Sequence, residues 1–275
     1  MPHNYILPTS LVYTDYAIPV IMYDQVGCGA STAFPDRKGD AEFWTPELFM
    51  AELENVISHF GLAEGGRQYD LLGQSWGAML AAQFVIERKP KGLRKLIIEG
   101  GPSDIPSYTK AGERLRAALP EDVREVLDRC ERNGTTSSAE YQEAEMYYYN
   151  LHICRAAGKD GAPDPQELMD SFAQLEKDDA VYKTMMGENE FNATGTLKEW
   201  SIRDRVHELT EKTVPGGLLL MNGQYDTVQD ETTDAFFYKA RCRVKWVRFG
   251  LSSHIPILEE TETFVKALGS FLTEE

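Results

Sequence analysis

The fold is decided by the sequence YDLLGQSWGAML at residues 69–80. Residues 69–72 predict a buried strand, and the small residues after Gly77 predict a helix that packs closely on a sheet. The corner between them reads G-x-S-x-G, with Gly73 and Gly77 on either side of Ser75. A serine on such a strained corner projects its hydroxyl above the sheet edge, and we expect both glycines to be required because a Cβ would clash. The alternative is an ordinary strand–helix turn that happens to contain serine.

Strand and helix patterns alternate on both sides of this corner. Apolar runs predict strands at residues 18–23, 69–72, 93–98, 217–221 and 244–249. The helix before the corner is predicted to begin with Thr45 as its N-cap and Pro46 as its first residue. This alternation predicts an α/β fold, in which a mostly parallel sheet carries helices on both faces.

Residues 102–200 interrupt the alternation, because they contain no strand-like run. Helical patterns occur instead at residues 108–118, 120–133, 138–157, 165–175 and near Val181, with breaks at 133–134, 158–163 and Gly187. We therefore expect an all-helical cap at 102–200, inserted into a core domain formed by 1–101 and 201–275. The cap has an aromatic face, which either lines a pocket or packs the cap onto the core; it consists of Tyr141, Tyr147, Tyr148 and Tyr149.

Composition limits the partners. The 275 residues include 44 acidic and 28 basic side chains, which gives a net charge of −16. Such a surface repels nucleic acid and anionic membrane, so we expect neither as a partner. No apolar run approaches the ~20 residues of a membrane span, and the first residues do not resemble a signal peptide, so a cytoplasmic location is predicted.

Cofactors and metals are not indicated by the sequence. The cysteines are scattered and form no C-x-x-C pair; they are Cys28, Cys130, Cys154 and Cys242. This pattern favours reduced thiols over a metal site or a disulfide framework. The glycine-rich segment 27–31 reads G-x-G-x-S, which is not the full dinucleotide fingerprint. We therefore expect no cofactor and no metal.

Three side chains at predicted strand ends form a candidate catalytic set, namely Ser75, Asp226 and His254. A serine hydroxyl becomes nucleophilic when a base removes its proton, and histidine titrates near neutral pH. A buried carboxylate then holds the histidine in one tautomer. His254 alone among the five histidines follows the last strand in a short polar loop. Asp226 is preferred because Asp230 and Asp234 fall inside the next predicted helix. The set predicts acyl transfer through an acyl-serine, with the N–H of Trp76 as an oxyanion donor.

Several segments together make the chain resemble the proline iminopeptidase family of α/β-hydrolases over essentially its whole length. The matching segments are YDQVGCGAS at 23–31, GQSWG at 73–77, GENEF at 187–191, GQYD at 223–226 and SH at 253–254. The resemblance implies an α/β-hydrolase fold with a helical cap. It implies a serine aminopeptidase that releases N-terminal proline or other small apolar residues from short peptides or amino-acid amides. It also implies that Glu190 in the cap receives the substrate's α-ammonium group by a charge-assisted hydrogen bond.

Two departures from the family pattern leave alternatives open. Many members carry a second glutamate directly after the catalytic aspartate, where this chain has Thr227, so an esterase or amidase of secondary metabolism is an alternative. The family's His-Gly-Gly-Pro-Gly oxyanion loop and the strand before it would precede residue 1. We expect either further residues upstream in the native protein or a catalytically impaired binding protein. Without that strand, residues 18–23 would have to pair with residues 69–72, or the sheet would carry a gap.

Overall fold

The computed structural model describes residues 2–156 and 165–274. Within them, one parallel sheet has the strand order β1-β2-β3-β4. The strands are β1 (Tyr69–Gln74), β2 (Leu93–Glu99), β3 (Leu218–Gly223) and β4 (Val244–Phe249). The central strands β2 and β3 are almost wholly buried, as apolar runs covered on both faces should be.

Helices surround this sheet and also fill the interval between β2 and β3. In chain order they are α1 (Leu11–Tyr16), α2 (Pro46–His59), α3 (Trp76–Arg88), α4 (Ile105–Ala117), α5 (Glu121–Asn133), α6 (Ala139–His152), α7 (Gln166–Lys177), α8 (Ala180–Met185), α9 (Asp230–Lys239), α10 (Pro256–Glu259) and α11 (Thr261–Thr273). Short 3-10 turns lie at His3–Ser10, Pro35–Arg37, Thr196–Glu199 and Val206–Glu208. None of the helices in the described part of the chain is long and apolar enough to cross a membrane.

Alternating side chains of the central strands supply two apolar layers. Ile98 of β2 and Leu220 of β3 belong to the cluster that includes the alanines of α3. Ile97 and Leu219 belong to the other cluster, together with the apolar residues of α11. Because successive strand residues point to opposite faces, each strand contributes to both layers. The predicted α/β fold with helices on both faces is confirmed.

The interval between β2 and β3 holds α4 to α8 in the described residues, so the change from strand to helix patterns was correctly predicted. The N-cap of α2 was also correct, because the hydroxyl of Thr45 accepts a hydrogen bond from the N–H of Leu48. The predicted helix at 138–157 ends earlier, at His152. The predicted break at 158–163 lies outside the described residues. The division into a core domain and a cap stays a prediction.

The predicted strand at 18–23 is wrong, because this segment is irregular and pairs with no strand. The segment instead lays Ile18 and Val20 against the apolar cluster that contains α11. An apolar run becomes a strand only when a neighbour satisfies its backbone groups, and the ladder of β1 runs to β2 alone. The run therefore contributes apolar packing, and the expected pairing of residues 18–23 with residues 69–72 does not occur.

The corner at Ser75 is strained, as predicted. Ser75 has φ 54° and ψ −120°, a conformation that L-residues rarely adopt. Gly73 is required at this corner, because a Cβ there would lie 2.1 Å from the carbonyl oxygen of Gly77. The corresponding expectation for Gly77 is wrong, since a Cβ on that residue would meet nothing within 4 Å. The crowding thus affects one of the two glycines.

The two glycines make a matched stability test. We expect Gly73→Ala to lower the free energy of unfolding by about 3 kcal/mol, the upper end of the usual cost of overpacking. We expect Gly77→Ala to stay within about 1 kcal/mol of the parent, because alanine suits the first turn of a helix. Urea unfolding monitored by circular dichroism measures both values. Equal stability of the two variants would contradict the assignment of the crowding to Gly73.

Candidate active site

The predicted catalytic residues lie at one edge of the sheet. Ser75 follows β1, Asp226 follows β3 and His254 follows β4. Because all four strands are parallel, their carboxyl ends meet at the same edge, where open α/β sheets place their sites. The topology therefore gathers three side chains that are far apart in the sequence.

His254 and Asp226 form a buried hydrogen-bonded pair. Nδ1 of His254 lies 2.8 Å from Oδ1 of Asp226, and the same oxygen accepts the N–H of Val228 at 2.7 Å. Asp226 is fully buried, and its Oδ2 has no hydrogen-bond partner among the described residues. Gly100 at the end of β2 leaves room for the ring, because a Cβ there would lie 3.0 Å from two ring atoms of His254. Because Nδ1 is bonded to Asp226, Nε2 is the ring nitrogen left to exchange a proton with another group.

Charge around His254 favours its protonated form. Burial is the largest single influence and opposes that charge, but the charge and hydrogen bond of Asp226 and the charges of Glu99 and Glu190 together outweigh it and raise the pKa of His254 to about 9. Burial also raises the pKa of Asp226, while its contact with His254 counteracts this. The site thus holds an imidazole whose charge depends on neighbouring carboxylates.

Ser75 lies at the same sheet edge and makes no hydrogen bond to this pair. Its backbone N–H donates to the carbonyl of Glu99 at 2.9 Å. The hydroxyl makes no hydrogen bond to any residue in the described ranges, which leaves it available to a substrate. The preceding side chain, Gln74, donates from Nε2 to the carbonyl of His254 at 3.1 Å and accepts the hydroxyl proton of Tyr5. Gln74 therefore connects the serine corner to the histidine loop. Catalytic hydrogen bonds are often formed only in the substrate complex.

Trp76, the expected oxyanion donor, begins α3. Its backbone N–H has no acceptor within the part of the chain that the structure describes, as is usual in the first turn of a helix. Its indole Nε1 donates to Oε1 of Gln25 at 3.0 Å, which fixes the side chain against the loop after residue 23. The N–H groups of Ala78 and Met79 are already bonded to the carbonyl of Ser75. The N–H of Trp76 and the positive end of the helix dipole are therefore available to an anion here.

Glu190 lies on a turn of the interval between β2 and β3, among tyrosines. The hydroxyl of Tyr108 donates to the Glu190 carbonyl. Burial raises the pKa of Tyr182 well above its usual range, and the charge of Glu190 and a hydrogen bond to it add to that rise. Glu190 also raises the pKa of His254, so its charge acts on the histidine. A carboxylate that lies among tyrosines and whose charge acts on the histidine is suited to a cationic group.

The four tyrosines of the predicted aromatic face have different environments. Tyr141 and Tyr148 are buried in an apolar cluster between helices, whereas Tyr147 is 43% exposed. The hydroxyl of Tyr148 lies 2.8 Å from Oγ1 of the fully buried Thr227, directly after Asp226. Tyr148 therefore packs the helical interval onto the sheet. Tyr149 borders a small cavity and also feels the charge of Glu190.

Sequence reasoning missed three residues of this site. Gln74 was given no role within the motif, and Tyr5 lies in residues 1–17, for which only loop and short helix were expected. Glu99 ends the apolar run of β2, and an acid at the end of a buried strand is a signal that was available. Among the residues that the structure describes, no group of three His, Cys, Asp or Glu side chains is arranged to hold a metal ion.

Comparisons with known proteins show the family and the fold of this chain. The family model described as alpha/beta hydrolase fold matches residues 15–261. Proline iminopeptidase of Clostridium botulinum is 32% identical over 274 residues, which covers 99% of this chain and 86% of the relative. The crystal structure of proline iminopeptidase from Mycobacterium smegmatis is 38% identical with a TM-score of 0.86, over 98% of this chain and 85% of that one. The crystal structure of VinJ is 36% identical with a TM-score of 0.88, over 98% and 86% of the two chains.

The protonation of His254 can be tested directly. We expect the imidazole of His254 to lose its proton near pH 9, because the Asp226 carboxylate stabilises the imidazolium form. Asp226→Asn removes that charge and leaves the effect of burial, so the pKa of His254 should fall. NMR titration of ring-labelled histidine measures it, with the His254 signal assigned from a His254→Gln variant.

Asp230→Asn is the control for this titration, because Asp230 bonds Asn222 at the start of α9 and does not contact His254. Its titration should match that of the parent. An unchanged pKa of His254 in Asp226→Asn would contradict the role given to the pair.

Proposed function

Since this chain belongs to the proline iminopeptidase family of α/β-hydrolases, we propose that it is a serine hydrolase acting on short peptides or amino-acid amides with a free amino end. The product is an N-terminal proline or another small apolar residue. The observation that carries the proposal is the buried His254–Asp226 hydrogen bond at the sheet edge where the strained Ser75 lies.

The reaction follows from the positions of these groups. Oγ of Ser75 attacks the scissile carbonyl carbon while Nε2 of His254 takes the hydroxyl proton. The resulting imidazolium is stabilised by Asp226, and the negative oxygen of the tetrahedral intermediate is met by the N–H of Trp76. His254 then gives its proton to the leaving amine, and the C–N bond breaks. Water, deprotonated by His254, hydrolyses the acyl-serine and restores the Ser75 hydroxyl.

Selectivity for a free amine is assigned to Glu190. The carboxylate lies among tyrosines and its charge is felt at His254, so a substrate ammonium bound there lies close to the reacting carbonyl. A hydrogen bond to a charged group of this kind contributes about 1.5–3 kcal/mol. This contact holds the N-terminal residue of the substrate and leaves the remainder of the peptide as the leaving group.

Thr227 favours a second candidate, an esterase or amidase with less demand for the amine. This neutral residue is fully buried and bonded to Tyr148, at the position directly after Asp226. Glu190 is then the one carboxylate assigned to the ammonium group. The two candidates differ in whether substrates without an amine are turned over faster than aminoacyl substrates.

Turnover of proline and alanine anilides tests the serine mechanism. We expect the parent to release the aniline and Ser75→Ala to lose at least about 10³-fold in kcat, because the acyl-serine cannot form. A fluorophosphonate probe should label the parent and leave Ser75→Ala unlabelled, as shown by intact-mass spectrometry. Absence of both turnover and labelling in the parent would refute the proposal.

Glu190→Gln tests the assignment of the amine site. We expect kcat/KM for alanine anilide to fall about 10–100-fold, the equivalent of one charge-assisted hydrogen bond. Above about pH 9, where His254 is already the neutral base, the same variant should change little toward an acyl ester that lacks an amine. The matched control is Glu188→Gln, since Glu188 is exposed and paired with Lys183. If the parent prefers the acyl ester and Glu190→Gln leaves alanine anilide unaffected, the esterase candidate replaces the aminopeptidase.

A further inference from the structure

Glu99 ends the central strand β2, between the strands that carry Ser75 and Asp226. Its backbone is fixed on both sides: its carbonyl accepts the N–H of Ser75 at 2.9 Å, and the N–H of Gly100 donates to Met221 at 2.9 Å. The residue is 1% exposed. The proposed mechanism makes no use of this buried acid.

The side chain of Glu99 is incompletely bonded. Its Oε1 is buried without a hydrogen-bond partner among the described residues, and Oδ2 of Asp226 is in the same condition. A buried carboxyl oxygen without a partner is costly, and its persistence calls for an explanation in the site. Two carboxyl groups, each with one unsatisfied oxygen, thus lie at neighbouring strand ends around a single imidazole.

We propose that Glu99 is a second acid of this site. It is a positioning residue that, together with Asp226, stabilises the positive charge of His254. When His254 accepts the Ser75 proton, a positive charge appears in a region removed from water. A second carboxylate stabilises that charge without touching the substrate. The catalytic consequence rests on the proposed function, whereas the electrostatic coupling between Glu99 and His254 does not.

The groups facing the pair define the direction of the effect. Three carboxyl groups face His254: Asp226 from the end of β3, Glu99 from β2 and Glu190 from the helical interval. Glu99 in turn faces His254, Asp226, Glu259 and the amide of Gln74. Burial raises the pKa of Glu99 well above its usual range, and the positive charge of His254 counteracts this. The groups therefore titrate as a coupled set.

The sign follows from charge alone. An ionised Glu99 favours the imidazolium, so it raises the pH at which His254 becomes the neutral base. Removing that charge lowers the pH of this transition. An opposite charge at close range moves a pKa by about 1–3 units.

The test measures the pH dependence of kcat/KM, whose acidic limb reports the base of the free enzyme. We expect Glu99→Gln to move this limb about one pH unit or more toward lower pH, and Glu99→Asp to produce a smaller shift in the same direction. The matched control is Glu52→Gln. Glu52 is also a carboxylate with a buried oxygen lacking a described partner, but it bonds Val26 and does not face His254. The acidic limb of the kcat/KM profile should not move in Glu52→Gln.

A second readout separates this inference from the proposed function. NMR titration of His254 follows the same transition whether or not the protein turns over a substrate. If the parent is inactive, the function fails while a lowered pKa of His254 in Glu99→Gln still supports the coupling. The inference is overturned if Glu99→Gln changes neither the acidic limb of the kcat/KM profile nor the NMR titration of His254. It is also overturned if Glu52→Gln changes both by the same amount as Glu99→Gln. Should Glu99→Gln not fold, Glu99→Asp decides in the same way, by a shifted or an unshifted titration.

Discussion

The hydrogen bond between Nδ1 of His254 and Oδ1 of Asp226 joins the loops after β3 and β4, and the rest of the site is built around it. A buried carboxylate is tolerable only with partners, so this bond and the one to Val228 decide where Asp226 can lie. The bond is possible because the backbone of the histidine loop comes very close to the end of β3. A Cβ on Gly223 would lie 2.1 Å from the carbonyl oxygen of Ser253, so the histidine loop passes directly over the end of β3.

Negative charge is concentrated where the substrate is proposed to bind. Asp226, Glu99 and Glu190 all act on His254, and each favours its charged form. A site of this kind attracts ammonium groups and disfavours carboxylates, in keeping with the net charge of −16. The same charges keep the imidazole protonated to higher pH, so affinity for a cation is gained at some loss of free base at neutral pH.

Structural features that depend on neighbouring residues in the sequence were predicted correctly. The strand at Val244–Phe249 and the cap of α2 at Thr45 were read from alternation and capping chemistry, and both appear as predicted. The run at 18–23 has the composition of a strand, but strand formation depends on a neighbour that its own residues do not encode. The openness around Gly77 and the unsatisfied oxygen of Glu99 depend likewise on distant segments. The predictions that failed are those that depend on where distant segments lie, which the residue types of the segment itself do not show.

Under the proposed function, substrate binding itself prepares the base. An ammonium group at Glu190 cancels the negative charge that this carboxylate exerts on His254, and it also adds a positive charge close to the imidazole. Both effects disfavour the imidazolium, so the pKa of His254 falls from about 9 when an aminoacyl substrate occupies the site. A substrate without the amine leaves the field of Glu190 uncompensated and the imidazole more often protonated. Recognition of the amino end is then coupled to activation of Ser75 through charge, without any required movement of the helices.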